Sequence, residues 1–203
     1  MLPQRKNPIV APPAEACPPE YSADERLLLL RIARQAIGAA LRGTPGFSSS
    51  LAAPSAHLAQ ARGAFTTLHL DERLRGCVGF VQPLRPLYQT VAETAVAAAF
   101  NDPRFDPLTE DEAPRLKIEI SVLSLLRPIT VAEIEVGRHW LVVTHRFQRG
   151  LLLPQVALEH GWDRETFLAE TCQKAGLALD AWRHGATVEA FTAEVFGESV
   201  PSI

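Results

Sequence analysis

A thiol and a guanidinium lie two residues apart in the segment LRGCVG, residues 74–79. If this segment is a strand, Arg75 and Cys77 point to the same face, because side chains alternate along a strand. A neighbouring positive charge favours the thiolate, which is the nucleophilic form of a cysteine. Gly76 lacks a side chain, so a ligand or another backbone can approach closely. The segment indicates a reactive or anion-binding site; the plainer alternative is a buried Cys77 beside a surface Arg75.

A second source of charged groups is the turn NDPRF, residues 101–105. It supplies the carboxylate of Asp102 and a second guanidinium from Arg104, and both are candidates for ligand binding. The alternative is a self-paired turn that ends a helix, because Asn, Asp and Pro are common turn residues.

Glu119 lies in the middle of a predicted strand, between apolar neighbours. A carboxylate at such a position needs a partner or water. It can pair with Arg75 or Arg104, or serve as a general base, so Glu119 is the second candidate catalytic residue beside Cys77. The alternative is a solvated outer face of the strand, shared with Lys117 and Ser121.

The segment GLLLPQ, residues 150–155, predicts a buried strand that runs into the start of a helix. Gln155 could orient a polar ligand there, although plain strand-to-helix packing explains the same pattern. The three cysteines are far apart, and no Cys/His cluster, HExxH motif or phosphate-binding glycine loop occurs. The sequence therefore predicts no metal and no cofactor.

Composition excludes several classes of protein. The 203 residues are 47% hydrophobic and 21% charged, which is a globular composition with ample material for a core. The net charge of −3 argues against a general binder of nucleic acid or of membrane surfaces. Arg5 and Lys6 precede no apolar stretch, and no apolar run is long enough to span a bilayer. These features predict a cytoplasmic protein.

The order of predicted elements indicates an α+β fold with a largely antiparallel or mixed sheet flanked by helices. Residues 1–21 hold six prolines and predict a flexible tail. Residues 22–203 predict one domain, with room for a large and a smaller lobe. The predicted elements are a helix from Ser22 to Gly43, a hairpin of 64–70 and 73–81, a helix ending near Phe100, a strand in 115–126, a second hairpin around 146–149, helices at 155–160 and after Asp163, and a last strand Thr187–Phe196.

Several segments in this order resemble the AMMECR domain family. LRGCVG is similar to the LRGCIG motif of that family, with Val78 in place of isoleucine. The resemblance covers about residues 23–198. Within this range, the other segments similar to the family are AAFNDPRF (98–105), PLT (107–109), IEISVL (118–123), RGLLLPQVA (149–157), GW (161–162) and CQKAGL (172–177) with Trp182.

The resemblance implies a two-lobed α+β fold and an activity that is poorly defined. Bacterial and archaeal members are called AmmeMemoRadiSam system protein A. They are often encoded with, or fused to, a Memo-like protein and a radical-SAM protein, which implies these two as partners. The LRGC segment is taken as the functional surface of the family, which implies Arg75, Gly76 and Cys77 as site residues.

Two functions remain open at this stage. The first is an accessory protein that binds a small molecule or peptide at the LRGC strand and acts with the Memo-like and radical-SAM proteins. The second is an enzyme in which Cys77 is the nucleophile or covalent tether for a small anionic or carbonyl substrate, while Glu119 moves protons. An enzyme predicts an exposed and reactive Cys77, whereas a binding protein tolerates Cys77→Ser.

Overall fold

The computed structural model describes residues 19–44 and 54–198. Within them the chain folds into two compact units, a larger one of residues 19–124 and 193–198 and a smaller one of residues 125–192. The elements in chain order are α1 Ala23–Leu41, β1 Ala64–Leu70, β2 Arg73–Phe80, α2 Leu87–Phe100, β3 Leu116–Leu123, β4 Arg127–Pro128, β5 Trp140–His145, β6 Gln148–Leu152, α3 Pro154–His160, α4 Arg164–Lys174, β7 Thr187–Phe191 and β8 Ala193–Gly197.

The larger unit is an antiparallel sheet of order β2-β1-β3-β8, with α1 and α2 packed on it. Helix α1 begins where predicted, because the Ser22 hydroxyl accepts from the Glu25 amide while the Glu25 carboxylate accepts from the Ser22 amide. Alanines on α2 allow a close approach to the sheet, and the buried hydroxyls of Thr66 and Thr94 satisfy each other at 2.8 Å. One apolar core lies between these layers.

The β1–β2 hairpin confirms the predicted turn at Asp71 and Glu72. Both residues have positive φ, 50° and 63°, which is the backbone of a two-residue turn that matches strand twist. Arg115 donates to Asp71 at 2.8 Å, and Lys117 forms an ion pair with Glu72. The register then fixes which side chains of β2 share a face with those of β1.

The smaller unit is a second antiparallel sheet, of order β4-β7-β5-β6, with its own apolar core that includes Phe167, Leu168 and Cys172 of α4. The Asp163 side chain accepts from the Thr166 amide and caps α4, as its position in the sequence predicts. The predicted α+β class with largely antiparallel pairing is therefore confirmed, in the form of two separate sheets.

One predicted element is wrong in extent. The alternating segment Thr187–Phe196 forms two strands, because the chain leaves one sheet after Phe191 and enters the other at Ala193. The apolar alternation changes phase at this point, from Val188 and Ala190 to Phe191, Ala193 and Val195, and the prediction of one strand overlooked that shift. Most of the proline-rich tail, with Cys17, lies outside the described residues; Tyr21, at its end, is buried in the larger unit.

Candidate functional site

Strand β2 carries three of the predicted site residues and lies at the edge of its sheet. Its register with β1 pairs Cys77 with Thr67 and Gly76 with Leu68, and then shifts so that Leu74 pairs with His69. Arg75 is the extra residue of this bulge and has no partner on β1. Because a bulge re-aims the side chain that it carries, Arg75 departs from the simple alternation assumed from the sequence.

Gly76 is buried against helix α2. A Cβ atom at this position would lie 2.0 Å from the carbonyl oxygen of Ala98, far inside van der Waals contact. The close approach that the glycine permits is therefore made by the backbone of a helix. This contact brings the end of α2, and the loop that follows it, alongside β2.

Cys77 is half-buried and is contacted from two directions. The Thr67 hydroxyl on β1 donates to its Sγ at 3.3 Å. On the outer side of β2, the Cys77 amide donates to Oδ2 of Asp102 at 2.9 Å, and its carbonyl accepts from Nη2 of Arg104 at 3.2 Å. The guanidinium next to the Cys77 backbone is thus that of Arg104.

Asp102 and Arg104 pair with each other, as the plainer interpretation of the turn predicted. Nε and Nη2 of Arg104 donate to the two carboxylate oxygens at 2.9 and 2.7 Å. The Asp102 side chain is only 3% exposed, whereas that of Arg104 is 55% exposed. Hydrogen bonds from the Arg104 guanidinium, supported by the Cys77 and Arg104 amides, hold the pKa of Asp102 far below its ordinary value.

Arg75 is held in the same way by Glu112. Its Nε and Nη2 donate to the two oxygens of that carboxylate, each at 2.9 Å, and Nη2 also reaches the Pro107 carbonyl at 3.4 Å. These hydrogen bonds from Arg75, with those from Thr109, lower the pKa of Glu112 to about 2. A bidentate pair fixes the guanidinium plane, so Arg75 is a rigid group whose charge is already balanced.

Both guanidinium groups lie close to the ring of Phe105. The Cζ atoms of Arg104 and Arg75 lie 5.6 and 6.0 Å from its centroid, within the range of cation–π attraction. A cleft of about 430 Å³ opens here, and it has an aromatic wall, two fixed guanidinium groups and carboxylates on its rim. Its lining residues are Arg75, Pro103, Arg104, Phe105, Asp106 and Glu112.

Glu119 lies elsewhere on the same sheet. Thr67 pairs with Cys77 on one side and with Glu119 of β3 on the other, so the three form one row across three strands and share a face. Within the described residues the Glu119 side chain makes no hydrogen bond and no ion pair, and Arg75 and Arg104 have other partners. The structure therefore places Glu119 on the same face as Cys77, two strands away across Thr67, and outside the residues that line the arginine cleft.

Gln155 belongs to the smaller unit, where it follows Pro154 in the first turn of α3. Its side-chain oxygen is buried and has no hydrogen-bond partner among the described residues. The six other candidates all lie in the larger unit.

Sequence reasoning missed four residues of this region: Thr67, Phe105, Asp106 and Glu112. Glu112 had a signal, because Thr109 and Glu112 stand at the spacing of a capping box and the Thr109 amide does donate to the Glu112 carboxylate at 3.0 Å. That spacing gives no sign of Arg75, which comes from 37 positions away. Phe105 ends the turn segment and Asp106 follows it, and neither carries a pattern of its own.

Neither a metal site nor a membrane-spanning helix occurs in residues 19–44 and 54–198. No group of three or more His, Cys, Asp or Glu side chains in these ranges is arranged to hold a metal ion. In the same residues, no helix combines the length and the apolar composition that crossing a bilayer requires.

The chain is similar to known proteins over most of its length. The AMMECR1 family model matches residues 30–196. The Methanopyrus kandleri protein MK0488 is 40% identical over 90% of this chain and 92% of its own, and a Methanothermobacter thermautotrophicus protein is 42% identical over 87% and 96%. The crystal structure of the uncharacterized Pyrococcus horikoshii protein PH0010 is 39% identical over 86% of this chain and 91% of that one, with a TM-score of 0.62. The chain belongs to the AMMECR1 family.

Proposed function

We propose that this protein is an accessory factor that binds a peptide or a small polar ligand in the Phe105 cleft beside the LRGC strand. One observation carries the proposal. Two arginines, drawn from distant parts of the chain, are each locked by a carboxylate, and both have their Cζ atoms within 6.0 Å of the centroid of one aromatic ring in a cleft of about 430 Å³. A pre-organised polar and aromatic cleft lowers the ordering cost of binding.

The charge balance of the cleft favours a peptide over an anion. The two guanidinium groups of Arg75 and Arg104 are each neutralised by a carboxylate, which leaves the carboxylate of Asp106 in excess. A peptide group matches such a surface, since its carbonyl accepts from guanidinium N–H groups while its N–H donates to a carboxylate. An anion would gain little, because the positive charges are already paired.

Titration of the ¹⁵N-labelled protein with two probes tests the ligand class. N-acetyl-alanyl-alanine amide should shift the amide signals of Phe105 and Asp106, and inorganic phosphate should leave them unchanged. Asp106→Asn should weaken the peptide response, while Asp180→Asn, an exposed carboxylate in the smaller unit, should not. If only phosphate shifts these signals, the cleft is an anion site. If neither probe shifts them, the proposal that the cleft binds a ligand is wrong.

The accessory role itself is proposed with a Memo-like protein and a radical-SAM protein as partners. Membership of the AMMECR1 family supports this part. Co-elution of the purified protein with the Memo-like protein or the radical-SAM protein of the same genome, in size-exclusion chromatography with light scattering, is the expected result. The same sample with Asp106→Asn shows whether the cleft takes part. Separate elution from both proteins at tens of micromolar would exclude this partnership.

A second candidate function is an enzyme that uses Cys77. It is favoured by the row Cys77–Thr67–Glu119, in which a hydroxyl donates to the sulfur and a carboxylate with no partner among the described residues lies two strands away. In this reaction Glu119 would accept the thiol proton through the Thr67 hydroxyl or a bridging water, and the thiolate would bond to a substrate carbonyl carbon while the C=O π pair moves to the oxygen. That oxygen would then take the proton back from Glu119, which gives a thiohemiacetal.

Alkylation distinguishes the two functions. Cys77 should react with iodoacetamide in the folded protein if it is a nucleophile, with Cys172 as an internal control that is fully buried and whose thiol pKa is raised by burial. Glu119→Gln should then slow the reaction at Cys77 and leave the peptide titration unchanged. A Cys77 that stays unmodified until the protein unfolds is a packing residue, and the enzyme hypothesis is then wrong.

A further inference from the structure

At Cys77, the backbone hydrogen-bonding groups on the outer edge of β2 are filled by side chains. Edge strands normally present unpaired N–H and C=O groups on which another chain can build a strand. At Cys77 both groups point away from β1, and they bind Oδ2 of Asp102 at 2.9 Å and Nη2 of Arg104 at 3.2 Å. These are the two bonds that one residue of a neighbouring antiparallel strand would make.

The pair that makes these bonds is firmly held. Asp102 keeps its charge although its side chain is only 3% exposed, because Arg104 contributes its backbone amide at 3.1 Å and two guanidinium bonds. Moving the loop away from β2 would remove a donor from a buried carboxylate, which is costly. The pair is therefore a fixed part of the fold, present whether or not the cleft holds a ligand.

A related carboxylate–arginine pair occurs in the larger unit where β8 ends beside β3. Beyond the end of β8, the Ile118 amide donates to Oε2 of Glu198 at 3.0 Å, and Arg34 donates to both the Glu198 carboxylate and the Leu116 carbonyl. There too a carboxylate accepts from a strand N–H while its paired arginine donates to a strand C=O. Both pairs thus occupy backbone groups that a neighbouring strand would otherwise bind, one at the edge of β2 and the other beyond the end of β8.

We propose that the Asp102–Arg104 pair acts as a surrogate neighbouring strand: it positions Cys77 and closes the edge of β2 against pairing with the same edge of a second copy of this chain. Asp102 and Arg104 are then positioning residues, which act on the site through the Cys77 backbone. Without them, two β2 strands can pair antiparallel about a two-fold axis and bring their Cys77 residues together.

Two variants test this inference. Asp102→Ala removes the acceptor of the Cys77 amide. Arg104→Met removes the donor to the Cys77 carbonyl together with the two guanidinium bonds to Asp102, but it leaves the Asp102 acceptor in place. Each variant opens the edge in a different way, so one remains informative if the other fails to fold. Asp71→Ala is the matched control, because it breaks an exposed ion pair with Arg115 in the same unit, away from the edge of β2. The measurements are amide hydrogen exchange at Cys77, sedimentation velocity over a range of concentrations, and disulfide crosslinking with copper phenanthroline.

In both edge variants the Cys77 amide should exchange roughly tenfold faster than in the wild type, as expected for local opening of an edge. They should also self-associate more than the wild type and form a covalent dimer that Cys77→Ser abolishes, and Asp71→Ala should do neither. Unchanged exchange at Cys77 in a folded edge variant, or faster exchange without added self-association, would overturn the inference. Peptide binding in the cleft is read separately, from the Phe105 and Asp106 signals, so the two proposals fail independently.

Discussion

In each unit an edge strand sets a glycine directly against the end of a helix. In the larger unit a Cβ on Gly76 of β2 would lie 2.0 Å from the Ala98 carbonyl oxygen of α2. In the smaller unit a Cβ on Gly150 of β6 would lie 2.4 Å from the Ala175 amide nitrogen, where α4 ends. Both units thus join helix and sheet by the same close backbone approach.

The two junctions differ in the segment that comes after the helix. After α2 the chain supplies Asp102 and Arg104, a buried carboxylate and its arginine, which bind the edge of β2. After α4 the corresponding contact with β6 is uncharged: the Gln148 side chain donates to the Gly176 carbonyl at 2.8 Å. Close packing therefore needs only the glycine. Burying a charged group costs desolvation energy. The buried Asp102 carboxylate at the junction of α2 with β2 therefore indicates that this region has a role beyond folding.

The largest effect is expected from filling the two glycine positions. Gly76→Ala and Gly150→Ala should each lower the free energy of unfolding by about 3 kcal/mol, because backbone atoms stand where the methyl group would go. Gly76→Ala should be the worse of the two, since its contact is shorter. Chemical denaturation measures both.

Gly38→Ala in α1 is the matched control for these variants. A Cβ there meets only the flexible end of Arg42, at 3.3 Å, and alanine is the better helix former by about 0.5–1 kcal/mol. A Gly76→Ala protein as stable as Gly38→Ala would show that the junction of α2 with β2 is not tightly packed.

The next largest effect on stability is expected from breaking the Arg75–Glu112 ion pair of the larger unit. Glu112→Gln should lower the free energy of unfolding by about 1–2 kcal/mol at pH 7, because it breaks the bidentate pair with Arg75. The pKa of Glu112 falls from its ordinary 4.5 to about 2 in the folded protein. The contribution is therefore complete above about pH 4.5 and is lost as the pH falls towards 2.

Glu165→Gln, which breaks the exposed ion pair with Arg183 in the smaller unit, should cost under about 0.5 kcal/mol. Denaturation of the wild type and both variants at pH 7, 4 and 2.5 provides the comparison. A difference between the wild type and Glu112→Gln that is as large at pH 2.5 as at pH 7 would contradict the assignment.

The smallest effect on stability is expected from glycine substitutions at the positive-φ residues of the two hairpin turns, and it should differ between them. Arg146 has a φ of 56° and no ion pair among the described residues, so Arg146→Gly should stabilise the protein by about 0.5–1 kcal/mol. Asp71 has a φ of 50°, but Asp71→Gly also removes the ion pair with Arg115 and should leave stability nearly unchanged. Thermal unfolding measures both, and equal gains would mean that the Arg115 pair contributes nothing.

Local patterns were enough to predict most elements. The Ser22 and Asp163 caps, the Asp71-Glu72 turn and the alternation of β3 each depend on residues within a few positions of one another. The limit appears at Thr192, where one alternating strand was predicted although the chain passes from one sheet to the other. Which sheet a strand joins depends on pairing with distant residues, and periodicity does not contain that information.

The candidate site shows the same limit. Its residue types and the importance of the LRGC segment were evident from the sequence, and the pairing of Asp102 with Arg104 was one of the two interpretations of the turn. The partner of Arg75 was not evident, because Glu112 comes from another part of the chain. The bulge that re-aims Arg75 arises from the register of β1 with β2, which no short segment specifies.

The sequence by itself therefore determined the α+β class, the family and the segment of interest, because caps, turns, periodicity and motifs are local properties. The tertiary structure decided how the charges are shared: Arg75 with Glu112, Arg104 with Asp102, and Glu119 beside Cys77 in a row through Thr67. A guanidinium pairs with the carboxylate that folding brings within about 3 Å, and sequence separation has no bearing on that distance.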